Sequence, residues 1–122
     1  MIKINYRECK FACGNNEYST EFSLDFQGHA EYAPHGQDIV CAAVSSLFYA
    51  LAITISNISE DELEKESIII HNECDNDCAV IISCYPKKSN LNNVKIMYET
   101  ILNGLSIIAK NYPENIVLTK IV

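Results

Sequence analysis

Positive charge is scarce in this sequence: nine Lys and Arg stand against sixteen Asp and Glu, a formal charge of −7 over 122 residues. Such a surface repels phosphate backbones, which excludes nucleic acid as the expected direct ligand. A basic peptide is an easier partner, because opposite charge speeds encounter. Glycine and proline are also few, at four and three. No repeat, linker or low-complexity tract breaks the chain. The first residues lack an apolar signal-peptide core behind a basic tip; Ile2, Ile4 and Tyr6 alternate with Lys3 and Asn5, which is strand chemistry. The expected compartment is therefore the reducing cytoplasm, with the six cysteines as free thiols.

Apolar residues make up 48% of the chain and charged residues 20%. That suffices for one domain, residues 1–122, to bury a core without metal or disulfide staples. Residues 39–58 carry no formal charge over a length that could span a bilayer. Cys41, Ser45, Ser46, Tyr49, Thr54, Ser56 and Asn57 interrupt the stretch, and Lys and Arg anchors are missing from its flanks. The expectation is the central helix of a soluble fold, with no membrane partner.

Residues 2–7 and 18–26 read as strands, with Phe22, Leu24 and Phe26 on one face and the Gly14-Asn15-Asn16 turn between them. Residues 28–37 contain Gly28, Pro34 and Gly36 and form a loop. Asp38 then caps a helix over 39–57. Ser59-Glu60-Asp61-Glu62 has capping-box form but reads as a solvated connector. Residues 67–71 and 79–84 suggest a second hairpin, and 86–90 break the pattern. Val94, Met97, Ile101, Leu105 and Ile108 recur at helical spacing, predicting a core-packed helix over 91–111. Pro113 ends that region, and 116–121 reads as a last strand. The order ββαββαβ predicts an α+β sandwich, helices packed on a mostly antiparallel sheet.

Chemistry concentrates in Gly28-His29-Ala30 and in Gly36-Gln37-Asp38-Ile39-Val40-Cys41-Ala42. Cys41 falls in the first turn of the expected helix, where free backbone N–H groups and the helix dipole favour an anion. A thiol there is expected to ionise readily, and the same N–H groups are candidates to hold an oxyanion. His29, twelve residues earlier, is a candidate general base, and Gly28 would free its backbone. Asp38 can cap the helix or orient the His29 ring. The cap is favoured, because a carboxylate beside Cys41 opposes thiolate formation. On that reading, Asp38→Asn keeps the fold and much of the activity. Taken alone, a cysteine on an apolar helix is more often a small hydrophobe, and a lone loop histidine is more often without a role.

These residues resemble the ribosomal-processing cysteine protease (Prp) family. The match is Gly28-His29-Ala30, then Gly-x-Asp-Ile-Val-Cys-Ala at 36–42, with Tyr112-Pro113-Glu114-Asn115-Ile116 in support. The resemblance implies a cytoplasmic thiol endopeptidase, often a homodimer, that needs no cofactor. It implies Cys41 as nucleophile, His29 as base, Gly28 as a hinge, Asp38 at a characteristic acidic position and Ser45 where the family often has a serine. The implied substrate is a large-subunit ribosomal protein whose N-terminal extension is cut off after an aromatic residue. A phage or mobile-element relative would instead process a phage structural protein.

Two further readings bear on function. Cys9 with Cys13, and Cys74 with Cys78, would make a four-thiolate zinc site if their turns met, with His71 a possible substitute. The expectation is free thiols and no metal. Asp75-Asn76-Asp77 lacks the further ligands of a calcium loop. The rival from another class is a non-catalytic peptide-binding accessory protein, which has no need of a thiol and an imidazole within reach of each other.

Overall fold

The computed structural model describes residues 1–12, 14, 18–34, 37–58, 61, 63, 68–74 and 77–121; of 18, 68–74, 77 and 78 it describes the backbone. Cys13, most of the acidic connector at 59–62, the tip of the second hairpin, and the side chains of His71, Cys74 and Cys78 lie outside the described residues. The elements are β1 (Ile2–Ala12), β2 (Tyr18–Gln27), α1 (Ile39–Ser56), β3 (Ile68–Cys74), β4 (Asp77–Cys84), α2 (Leu91–Asn111) and β5 (Ile116–Ile121). A 3-10 turn, Lys88–Asn90, occupies the stretch that breaks the sequence pattern and leads into α2. The expected ββαββαβ order is present.

The strands form one sheet in the order β3-β4-β2-β1-β5. Three pairings are antiparallel, and β5 lies parallel to β1. The parallel pair follows from the connection: α2 carries the chain from β4 across the sheet to its far edge, where β5 re-enters beside β1. β1 runs five residues beyond the expected 2–7. Its ladder with β2 continues from Lys3↔Gln27 to Ala12↔Tyr18, so pairing extends it after the hydrophobic alternation fades.

Alternation decides the layers. Ile2, Ile4 and Tyr6 of β1, Phe22, Leu24 and Phe26 of β2, and Ile82 and Cys84 of β4 are buried together beneath the helices. Residues of the other parity carry polar partners: Arg7 Nη2 meets Glu21 at 2.8 Å, and Asn5 Nδ2 donates to Asp25 at 3.2 Å. Helix α1 contributes Val40, Val44, Leu51, Ala52 and Ile55 to the core, and α2 contributes Val94, Tyr98, Ile101 and Leu105. Met97 and Ile108, expected in the core stripe, are only partly buried. Tyr98 takes the central place instead. It stacks on Phe22 at 5.5 Å, leans on Tyr6 at 6.2 Å, and donates its hydroxyl to the Ile82 carbonyl at 3.0 Å.

The register also fixes which loops share an end of the sheet. Phe22 faces Cys84 while Gln27 faces Ala79, so β2 and β4 run opposite ways. Cys9 pairs with Glu21, near the first hairpin turn; Cys78 follows the second turn, next to Ala79. Glu21 and Gln27 are separated along β2 by about 20 Å of strand. Cys9 therefore lies at the opposite end from the backbones of Cys74 and Cys78, which argues against the four-thiolate zinc reading; Cys13 is outside the described residues.

Candidate active site

The second end of the sheet, where β2 stops and α1, β1 and β5 start, gathers the chemistry-bearing residues. Gly28 follows β2 with φ +91°, and a Cβ there would sit 2.5 Å from the Met1 carbonyl oxygen. Only glycine fits that conformation and that space. Glu31 also has positive φ, +57°. These two left-handed residues bracket His29 and Ala30 and turn the chain back toward the start of α1.

Asp38 is the N-cap, and its two carboxylate oxygens serve two segments. Oδ1 accepts from the backbone N–H groups of Val40 and Cys41, both at 3.0 Å. Oδ2 accepts from those of Tyr32 at 3.0 Å and Ala33 at 3.3 Å. Burial works to raise the carboxyl's pKa, but the four N–H groups outweigh it and hold Asp38 below the usual carboxylate range. Both oxygens are engaged by backbone, which fits the cap and loop clamp; no hydrogen bond to His29 joins them among the described residues.

The Cys41 Sγ is half-buried and accepts a hydrogen bond from the Ala30 N–H at 3.3 Å. Two expectations change here. Three of the first-turn N–H groups are already occupied: Asp38 Oδ1 takes those of Val40 and Cys41, and the Asp38 carbonyl takes that of Ala42 at 3.1 Å. The thiol, moreover, is harder to ionise than an ordinary cysteine. Burial pushes it up and the Asp38 charge adds to this, against a smaller opposing pull from the Ala30 N–H. The donor left facing the sulfur comes from the loop, not from the helix.

His29 is exposed, and among the described residues no hydrogen bond joins it to Cys41. It is nevertheless the residue before Ala30. With the Ala30 nitrogen at 3.3 Å from Sγ, the His29 Cα lies no more than about 6 Å from the sulfur. That separation is within the reach of a histidine side chain. Ser45, one turn along α1, is exposed and makes no side-chain hydrogen bond among the described residues. Of the loop residues, Tyr32 is half-exposed with its ring edge-on to Tyr112 at 5.3 Å, and Pro34 accepts from the Gln37 N–H at 2.9 Å.

Sequence reasoning missed two participants, the Ala30 N–H and Asn115. Asn115 Nδ2 donates to the Ala30 carbonyl at 2.9 Å across 85 positions of sequence. A backbone donor carries no side-chain signature, and Asn115 showed only as part of a supporting motif.

Comparison with known proteins gives the family and the fold. The family model described as "Cysteine protease Prp" matches residues 2–117. The fold resembles an essential ribosomal processing protease Prp from S. aureus in complex with a covalently linked product peptide. That match has TM-score 0.68 and 24% identity, and covers 99% of this chain and 100% of that one. The same S. aureus protease with a substrate peptide matches at TM-score 0.63 and 22% identity, covering 99% and 100%. SMU.848 from Streptococcus mutans matches at TM-score 0.66 and 24% identity, covering 99% and 94%. No curated protein sequence matches the chain.

Proposed function

The chain belongs to the cysteine protease Prp family, and from that premise we propose that Cys41 is its nucleophile and His29 its general base. The observation that carries this is the Ala30 N–H directed at Cys41 Sγ, which brings the histidine's own backbone to the sulfur. The imidazole takes the Sγ proton as Sγ bonds to the scissile carbonyl carbon. Negative charge then moves to the carbonyl oxygen, and the Ala30 N–H is the donor suited to receive it. The C–N bond breaks, the leaving amine takes the proton from His29, and water hydrolyses the thioester to regenerate the thiol. An elevated thiol pKa suits this order of events, because the proton is removed by His29 at the moment of attack.

The substrate we propose is the N-terminal extension of a large-subunit ribosomal protein, cut after an aromatic residue. Support comes from the S. aureus relative, described as a ribosomal processing protease with bound peptide, and from a charge of −7 that attracts basic chains and repels nucleic acid. The test compares cleavage of a peptide carrying such an extension by wild type, Cys41→Ala and His29→Ala. Wild type should cut once, and both variants should lose at least about a thousandfold in kcat/KM. Equal cutting by Cys41→Ala would refute the assignment.

We further propose a cytoplasmic homodimer. Helix α1 has the length and composition to cross a membrane, but Val40, Val44, Leu51 and Ile55 pack into the core, contacts that a membrane span would forfeit. Its outer face, Ile39, Ala42, Ser46, Tyr49, Ile53 and Ser56, is exposed at the 3-4-3-4-3 spacing of a coiled-coil seam. A chain of charge −7 can meet its own copy on such an uncharged face without apposing like charges.

A further inference from the structure

The motif Tyr112-Pro113-Glu114-Asn115 has no part in the mechanism above, yet the fold brings it against the catalytic loop. The geometry points to Asn115 as a positioning residue that aims the Ala30 N–H at Cys41 Sγ, an inference that rests on the catalytic role proposed for Cys41.

Residue 30 is held from both sides. Its N–H donates to Cys41 Sγ at 3.3 Å, and its carbonyl accepts from Asn115 Nδ2 at 2.9 Å. The two peptide planes meeting at the Ala30 Cα are thus each tied to a fixed point, which leaves little freedom to φ and ψ between them. Asn115 is itself well anchored. Its N–H donates to the Tyr112 carbonyl at 3.0 Å, and its carbonyl accepts from the Ile2 N–H at 2.8 Å, joining the end of α2 to the start of β1. Tyr112 adds its ring contact to Tyr32 on the far side of the same loop. Ala30 is also buried, so its carbonyl has no easy replacement partner in water.

The need for such an anchor follows from the rest of the site. Asp38 occupies the N–H groups of Val40, Cys41 and Ala42, and among the described residues the Ala30 N–H is the donor placed on the sulfur. The loop reaches that position through left-handed conformations at Gly28 and Glu31. A turn that depends on such conformations keeps its shape only while its surroundings hold it. Without the Asn115 amide, the 30–31 peptide loses its fixed point, the Ala30 Cα is tethered from one side alone, and the 29–30 peptide that carries the N–H is free to shift off the sulfur. The thiolate then loses a stabilising donor, and so does the oxyanion that forms beside it.

The test uses Asn115→Ala and the near-isosteric Asn115→Asp, which keeps the shape but lacks the donor. Two readings are taken on the full chain: the pH midpoint of iodoacetamide alkylation at Cys41, located by peptide mass spectrometry, and kcat and KM on the extension peptide. The expected result is a midpoint raised by about one pH unit in both variants. kcat should fall about tenfold to a hundredfold with KM nearly unchanged. A raised midpoint in a protein whose wild type cuts no extension peptide would uphold the latch and reject the substrate. An unchanged midpoint and kcat in folded variants would overturn the inference. So would failure of both variants to fold, which would make Asn115 a residue of the fold alone.

Discussion

Asp38 joins two segments: one oxygen closes the first turn of α1, and the other gathers the Tyr32–Ala33 backbone. Asparagine caps helices as well as aspartate does, which is why the sequence suggests that Asp38→Asn is benign. The arrangement of four donors predicts otherwise. An amide has one acceptor oxygen, so its NH2 would face either the helix or the loop donors, and the loop is the side released. Removing the negative charge beside Cys41 also makes the thiolate cheaper to form, so alkylation of Cys41 in Asp38→Asn should reach its midpoint at lower pH than in wild type. A midpoint equal to or above wild type would contradict the charge argument. Stability carries its own sign. The folded-state pKa of Asp38 is depressed, so its contribution is complete above the ordinary carboxylate range and is lost as pH falls through the depressed value. Denaturation curves should therefore separate wild type from Asp38→Asn at neutral pH and converge in strong acid.

At the scale of elements, α1 works with both faces. One face holds Cys41 and packs Val44, Leu51 and Ile55 into the core, while the other leaves Ile53 60% exposed and Tyr49 58% exposed. Two of its hydroxyl side chains bond back along the helix: Ser46 to the Ala42 carbonyl and Thr54 to the Ala50 carbonyl, at 2.9 and 2.7 Å. They therefore ask no polar partner of whatever covers that face. Ile53→Lys places a charge in the proposed seam without touching the core. It should shift the protein from dimer to monomer in sedimentation velocity while leaving the thermal midpoint of the monomer nearly unchanged. A wild-type chain that sediments as a monomer at high concentration would contradict the dimer. The limits of these elements were unevenly legible. Apolar periodicity was enough for α1, α2 and the cores of β1 and β2, because burial on one face repeats at a fixed spacing. The end of β1 was not legible, since Cys9, Lys10, Phe11 and Ala12 are held by pairing with β2 and not by a pattern of their own.

Over the whole molecule, the sheet register does what neither residues nor elements do singly. It places the start of β1, the end of β2 and the start of β5 at one end, and so brings Asn115, Ala30 and Cys41 within hydrogen-bonding reach. The same register carries Cys9 away from Cys78. The local spacing from His29 to Cys41 was readable because both lie on one loop-helix segment. The 85-residue link from Asn115 to Ala30 was not, since it depends on β5 pairing in parallel with β1. The central claim is that Cys41 attacks the substrate and that His29 enables it. Mixing the protein with the extension peptide, quenching in acid and weighing the Cys41-bearing fragment tests this directly. The expected result is an added mass equal to the acyl half of the peptide on Cys41 in wild type, none in Cys41→Ala, and slowed formation in His29→Ala. Peptide turnover by a Cys41→Ala protein, or an adduct confined to another cysteine, would contradict it.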